Sequence, residues 1–235
     1  MSEKAGQNIH EGHRERKKRM FLEYGFHEET PQHEIIEMLL FYSIPRKDTN
    51  EIAHKLLNKF GSVSGIIDAP NAELLKIKGV TLHTVTLFKL IVPIYRQYSS
   101  DKYDKHYRFT NIDEICDFLL GKYFGYNKEV LAITTFSSSG KMINYDILTV
   151  GSVASVGVST REIIEVVLKR NATCAIMSHN HPNGIAIPSD EDVEITKMVQ
   201  KALQHIDVKL IDHIIIADND YVSMAQSKIY KNIFL

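Results

Sequence analysis

The spacing of apolar residues changes its period in the middle of this chain, and that change constrains the fold more than any other feature. From His33 to about Leu90 the apolar residues recur at helical spacing. Beyond residue 108, β-rich runs such as EVLAITTF, MINYDILTV and VKLIDHIIIA alternate with helical segments. A polar stretch without a clear period, residues 97–108, separates the two patterns. We therefore predict an α+β protein with an all-helical domain over 1–104 and a mixed α/β domain over 105–235.

The composition excludes several classes of protein. Of the 235 residues, 44% are hydrophobic and 24% are charged, as in ordinary soluble globular proteins, and the net charge is −1. Cys116 and Cys174 form no CxxC pair, and two cysteines are too few for a disulfide scaffold. The N-terminal segment has no apolar run of signal-peptide length, and no stretch approaches the ~20 apolar residues of a membrane span. We therefore expect a cytoplasmic protein that has no membrane partner.

The segment KIKGVTLHTVTLFKL, late in the helical domain, has the helix, tight turn and helix of a helix-hairpin-helix motif. In such a hairpin, glycines let backbone N–H groups approach a DNA phosphate. Gly79 is present, but Thr81 occupies the second glycine position, which favours a packed helical turn over phosphate contact. For the basic run between Arg14 and Arg19, a solvated arm or a first helix turn is favoured and a phosphate-contacting arm is the alternative. DNA therefore stays a partner that the sequence supports only weakly.

Two histidines one residue apart end the run TCAIMSHNH. In a strand, residues two apart face the same side at a separation of ~6.6 Å, so His179 and His181 can converge on one ion. Pro182 then ends the strand, and Ser189 is a good N-cap for a helix with Asp192 at its third position. Asp192 can thus be a third ligand, and this set leaves the fourth position of a tetrahedral Zn²⁺ open, as in catalytic sites. Each part alone is common, because an isolated HxH is rarely a site and Ser-x-x-Asp often only caps a helix.

The complete pattern H-x-H-x₇-S-x-x-D resembles the signature of the JAB/MPN (JAMM) metalloprotease family, and the form HNHPNG…PSDED is similar to its RadC-like bacterial branch. The resemblance extends over almost the whole chain, including HEIIEMLL, PRKDTNEIAHKLLNKFGS and the LLKIKGV hairpin. It implies an MPN/JAB-type α/β domain in which helices flank a twisted mixed sheet, with the metal at the rim. Residue by residue, it implies that His179, His181 and Asp192 bind zinc and that Ser189 helps to stabilise the oxyanion.

The resemblance also requires a glutamate upstream of the histidines as general base. Glu129 begins the strand EVLAITTF after a helix, a place similar to that of the family's glutamate. Glu162 is the alternative, but together with Ser159 it makes a capping box on STREIIEVVLKR. Glu129 is therefore favoured as the general base, and the choice between the two stays open.

Other polar residues receive less weight. Asp212 and His213 lie on opposite faces of the strand VKLIDHIIIA. One of them can support a metal ligand from behind, but a satisfied polar group at the edge of the core is favoured. Asp190 and Glu191 suit the positive end of their helix and are expected to face solvent.

These observations lead to hypotheses for three kinds of protein: an enzyme, a DNA-associated protein and a scaffold without catalysis. The resemblance implies a zinc-dependent metallohydrolase of peptide or isopeptide bonds, with Zn²⁺ as cofactor and a protein or peptide as substrate. The alternative is a DNA-associated accessory protein linked to DNA repair, a label that RadC-like proteins carry, although a net charge of −1 counts against strong non-specific DNA binding. A scaffold without catalysis is disfavoured because the chain keeps all three ligands. The sequence names neither the substrate nor the oligomeric state.

Overall fold

The structure is a computed structural model that describes residues 9–45, 47–103, 107–151, 160–182 and 184–235. The chain divides into two compact units between Pro93 and Ile94. Of the helices within the described ranges, none combines the length and the apolar composition needed to span a membrane.

The N-terminal unit is helical, as predicted. Its helices are α1 (Ile9–Tyr24), α2 (Gln32–Ser43), α3 (Asn50–Phe60), α4 (Val63–Asp68), α5 (Asn71–Leu75) and the first part of α6 (Leu82–Asp101). Apolar side chains from α2 to α6 form one buried core, because each helix turns its apolar positions to the same side. The central members of this core are Ile36, Leu40, Leu56, Leu74 and Phe88.

The polar stretch that separates the two sequence patterns begins inside a helix. Residues 97–101 belong to α6, although the sequence has no helical period there. Local side-chain bonds support the helix here without an apolar period: the Gln97 amide donates to Asp101 at 2.6 Å, and the Ser100 hydroxyl donates to the Arg96 carbonyl at 2.8 Å. The domain boundary between residues 104 and 105 stays a prediction.

The turn between α5 and α6 contains Gly79 in a left-handed conformation, with φ 102°. A Cβ atom at this position would lie 2.7 Å from Cδ1 of Ile52, which belongs to α3. Gly79 is thus explained by close packing of the turn. This geometry agrees with a packed helical turn, and phosphate contact by the hairpin stays a prediction.

Two cations of the N-terminal basic run have partners within the helical unit. The Arg14 guanidinium donates to the carbonyls of Ile44 at 2.9 Å and Pro45 at 2.6 Å. Lys17 pairs with Glu34 at 3.1 Å and with the buried Glu37 at 2.9 Å. These bonds tie α1 to α2 and to the chain that follows it.

The second unit consists of a mixed sheet and its covering helices. The strands are β1 (Val130–Phe136), β2 (Met142–Val150), β3 (Cys174–Asn180), β4 (Lys209–Ala217) and β5 (Asp220–Ser223). The helices are α7 (Ile112–Tyr123), α8 (Thr160–Lys169), α9 (Asp190–Gln204) and a short 3-10 helix (Lys231–Ile233). The strand order is β2-β1-β3-β4-β5, and β3 and β4 form a parallel pair while the other pairs are antiparallel.

Each face of the sheet carries its own buried cluster. One contains side chains of α7 and of the strands, including Phe118, Leu119, Ile176 and Ile214. The other contains side chains of α8, α9 and the opposite strand faces, including Ile163, Val199, Met177 and Ile215. Because side chains alternate along β3, His179 follows Met177 on the face that α9 covers. The predicted α+β class and the mixed sheet with flanking helices are confirmed.

Candidate metal centre

The side chains of the HxH pair emerge where the central strand ends. β3 ends at Asn180, and the pairing continues for one more residue because the His181 N–H donates to the carbonyl of Ile216 at 2.8 Å. His179 and His181 are therefore held two residues apart in extended chain, as the sequence predicts. Asp192 comes from the first turn of α9, the helix that connects β3 to its parallel neighbour β4.

Three donor atoms converge at this point. His179 Nε2 lies 2.8 Å from His181 Nε2 and 3.1 Å from Asp192 Oδ1, and His181 Nε2 lies 3.5 Å from Asp192 Oδ2. One donor atom from each residue lies within 4.8 Å of the others, so the group could hold a metal ion. His179 and Asp192 are buried, and His181 is half-buried and lines an open cavity. An ion held here would thus be accessible from the cavity.

A backbone bond sets the neutral tautomer of His181, and a side-chain bond links the tautomer of His179 to that of His213. His181 Nδ1 lies 3.1 Å from the carbonyl of Ile185, and a carbonyl only accepts, so Nδ1 carries a hydrogen and, in the neutral ring, Nε2 has the lone pair that a metal needs. His179 Nδ1 lies 2.8 Å from Nε2 of His213. If His179 presents Nε2 to an ion, its Nδ1–H donates to His213, which must then carry its own hydrogen on Nδ1.

A short chain of hydrogen bonds continues from His213 into α9. His213 Nδ1 lies 2.6 Å from the Thr196 hydroxyl, and that hydroxyl donates to the backbone carbonyl of Asp192 at 2.5 Å. His213 is 1% exposed and Thr196 is fully buried. The chain runs from one candidate ligand to the backbone of another, and each donor in it has an acceptor. It therefore holds the His179 ring in the orientation and tautomer that ligation needs.

The electrostatics of the site favour a carboxylate between two imidazoles. Burial alone would raise the pKa of Asp192, but hydrogen bonds from His179 and His181 hold it well below its usual range. The bond to Asp192 raises the pKa of His181, against the effect of burial and with smaller contributions from the Ile185 carbonyl and Glu129. Burial lowers the pKa of His213 well below its usual range, which keeps that ring neutral.

Ser189 caps α9 and orients Asp192. The backbone N–H and the hydroxyl of Ser189 both donate to Asp192 Oδ2 at 2.7 Å, and the N–H of Asp192 donates to the Ser189 hydroxyl at 3.1 Å. This is a complete capping box with an aspartate at its third position. Oδ2 of Asp192 is thus engaged by the helix cap, and Oδ1 is the oxygen nearer to His179.

The glutamate that the sequence favours as general base lies beside the triad. Glu129 directly precedes β1 and, with His179, His181, Ser189 and Asp192, lines a cavity of about 690 Å³. Glu162 is exposed in the first turn of α8 and is not among the described residues that line this cavity. Its predicted capping box with Ser159 lies outside the described residues.

The residue between the two histidines holds the backbone around Glu129. Asn180 is buried, and its side-chain oxygen accepts from the N–H of Val130 at 2.7 Å. Its amide group donates to the carbonyl of Lys128 at 3.1 Å. The residues before and after Glu129 are therefore both tied to the strand that carries the histidines, while the carbonyl of Glu129 accepts from Gly151.

From the sequence we underestimated His213 and missed Thr196, two residues that lie behind the triad. His213 contacts His179. It therefore supports a candidate metal ligand from behind, which was the less favoured interpretation of the sequence. Asp212 points the other way and accepts from the Ser223 hydroxyl and from the N–H of Ala225. Thr196 was missed, although its position one helical turn after Asp192 could have indicated it.

Comparisons with known proteins identify the family of this chain. Residues 109–229 match the family described as RadC-like JAB domain. A UPF0758 protein of Fusobacterium nucleatum is 37% identical over 234 residues, 96% of this chain and 98% of that protein. A UPF0758 protein of Alteromonas mediterranea is 30% identical over 212 residues, 90% of this chain and 94% of that protein. Since the family match covers half of the chain and the relatives nearly all of it, the chain belongs to the RadC-like JAB family.

Proposed function

We propose that the protein is a zinc-dependent hydrolase of amide or isopeptide bonds. The observation that carries the proposal is the convergence of two imidazole nitrogens and one carboxylate oxygen at the edge of an open cavity. Two neutral histidines and a carboxylate are a donor set that suits zinc, and three protein ligands are typical of catalytic rather than structural zinc sites. His179, His181 and Asp192 would hold the ion.

A bound zinc ion would supply Lewis-acid chemistry, which polarises a carbonyl and makes water acidic near neutral pH. In this proposal the Glu129 carboxylate accepts a proton from the attacking water and passes it to the leaving amine, so that the amide C–N bond breaks and a C–O bond forms. Its place beside the triad, with the backbone on both sides held by Asn180, supports this role.

Ser189 is proposed to donate to the oxygen that becomes negative during amide cleavage. In the structure its only hydroxyl hydrogen is directed at Asp192 Oδ2. A hydroxyl donates one hydrogen bond at a time, so the oxyanion role requires this hydrogen to turn from Asp192 towards the substrate. The bond from the Asp192 N–H to the hydroxyl oxygen would keep the side chain in place during that change.

Metal analysis and a cleavage screen test the proposal in two steps. Purified protein should hold about one zinc per chain, and the double variant His179→Ala/His181→Ala should hold none while its helical unit stays folded. The matched control is His33→Ala/His54→Ala, which removes two stacked histidines of the helical unit and should keep the zinc. Stoichiometric zinc in the first variant would exclude the site. A screen of peptides and conjugates with zinc-loaded protein, with Glu129→Gln as the inactive control, then tests hydrolysis.

A further inference from the structure

Five apolar residues line the cavity that holds the triad, besides its polar residues. These are Pro182, Ile185, Ile187, Pro188 and Ile195, which we call the apolar wall. Ile185 is 67% exposed and Ile187 is 57% exposed, whereas Ala186 between them is 3% exposed. The loop is thus anchored by Ala186, and the two neighbouring isoleucines keep most of their surface in solvent.

The apolar wall is structurally part of the candidate metal centre. The carbonyl of Ile185 accepts the hydrogen bond that sets the tautomer of His181, and it also accepts from the N–H of Ile187 at 2.8 Å. The position of Ile185 relative to the triad is therefore fixed by the same contact that prepares a ligand. Single exposed apolar residues need no explanation, but several that line one cavity beside polar groups are typical of a binding site.

The charges around the cavity restrict what the apolar wall can accept. Among the described residues that line it, the ionisable side chains besides the two histidines are Glu129, Glu191 and Asp192. Neither lysine nor arginine occurs in this described lining. A substrate carboxylate beside the apolar residues would thus find carboxylates and isoleucines, and no lysine or arginine among the described lining residues to pair with it.

We infer that the apolar wall is a subsite for a bulky aliphatic or aromatic side chain next to the amide that is cleaved. The substrate class is an internal amide with an apolar neighbour, rather than an amide beside a free carboxylate or an acidic side chain. This inference rests on the proposed function of the metal centre and adds the specificity of that site.

Hydroxamates of different side chain test the subsite without requiring turnover, because the hydroxamate group itself binds zinc. Acetohydroxamate, N-acetyl-leucine hydroxamate and the α-hydroxamate of N-acetyl-glutamate are titrated calorimetrically into zinc-loaded full-length protein. The leucine compound should bind about tenfold more tightly than acetohydroxamate, equal to about 1.4 kcal/mol, since part of its side chain leaves water. The glutamate compound should show no such gain.

Two variants assign the gain to the apolar wall. Ile185→Ser/Ile187→Ser should reduce the leucine advantage to about threefold or less, since most of the apolar contact is lost. Ile187→Lys places a cation on the wall and should make the glutamate compound bind more tightly than it binds wild type. The matched control is Ile147→Ser/Ile229→Ser, which changes two exposed isoleucines outside the cavity lining and should keep the leucine advantage.

The outcomes separate the two levels of the proposal. Failure of acetohydroxamate to bind zinc-loaded wild type would overturn the metal centre, and the subsite with it. Binding of acetohydroxamate without a leucine advantage would overturn the subsite alone. The variant Ile185→Ser/Ile187→Ser gives a second test of the subsite. If it binds acetohydroxamate and still binds the leucine compound about tenfold more tightly, the leucine side chain does not lie on the apolar wall.

Discussion

Replacing Thr196 by valine tests whether the hydrogen bonds behind His179 set the metal affinity. The substitution keeps the shape of the side chain and removes the hydroxyl that accepts from His213 Nδ1 and donates to the Asp192 carbonyl. Both Thr196 and His213 are buried, so water cannot replace the lost partner without structural change. The Nδ1–H of His213 is then either left without an acceptor or transferred to Nε2.

Each of these two results has a cost that the structure lets us estimate. A buried donor without an acceptor lowers the free energy of unfolding by about 1–3 kcal/mol. If the hydrogen of His213 moves to Nε2 instead, it faces Nδ1 of His179, which must become an acceptor. His179 would then carry its hydrogen on Nε2, the atom that faces His181 and Asp192, and ligation would be blocked. We therefore expect zinc affinity to fall by roughly 10–100-fold, the usual effect of losing a group that orients a ligand.

The assay needs a control for the loss of a buried threonine hydroxyl as such. Thr134 in β1 is fully buried, and its hydroxyl has no hydrogen-bond partner among the described residues. Thr134→Val is thus the same chemical change without the lost bonds, and it should leave stability unchanged or raise it by up to about 1–3 kcal/mol. Amide hydrogen exchange of β1 and β3 measures the stability of this unit, and competition with a chelator measures zinc affinity. If Thr196→Val affects both quantities no more than Thr134→Val does, the hydrogen-bond chain has no role in ligation.

Three further predictions concern other parts of the site. Glu129→Gln should keep the metal and lower any amide hydrolysis by roughly 10²–10⁴-fold, whereas Glu162→Gln should leave the rate nearly unchanged; the opposite pattern would exchange the two roles. Asn180→Ala removes both bonds beside Glu129 and should lower the rate of hydrolysis by about tenfold or more at unchanged zinc content. The control Asn144→Ala changes an asparagine of β2 that is not among the described lining residues of the cavity, and equal rates for the two variants would contradict the prediction. The increase in melting temperature caused by zinc should grow from about pH 5 to about pH 8. The bond to Asp192 raises the pKa of His181, so protonation stabilises the metal-free protein at low pH, and this stability is lost as the pH rises through the raised pKa. Above that pKa zinc no longer competes with the proton for His181. An equal increase in melting temperature at both pH values would refute this prediction.

Local patterns were sufficient to predict the parts of the site that are close in sequence. The period of two in TCAIMSHNH places His179 and His181 on one side of a strand, and the spacing from Ser189 to Asp192 predicts the capped helix that returns a carboxylate. These features depend on backbone geometry over a few residues, so they are readable without knowledge of the tertiary structure.

Contacts across the sheet could not be predicted in this way. His213 reaches His179 only because β4 lies parallel to β3, and the register between the two strands shifts between Ala175 and Ile176. Neither the pairing nor this irregularity is marked in the amino-acid pattern, so the sequence could not say which of Asp212 and His213 faces the triad. Similarly, the polar residues 97–101 lack an apolar period, and their helix depends on side-chain bonds that composition does not reveal.

The candidate ligands all come from one short stretch of chain, residues 179–192. An ion that joins them closes a small loop, and the entropy that a cross-link removes from an unfolded chain increases with the length of the loop it closes. Zinc would therefore do little to hold distant parts of the polypeptide together, in contrast to small domains that are unfolded without their metal. The sheet and its two buried clusters provide that cohesion instead, so the ion could be gained and lost repeatedly by a protein that stays folded throughout.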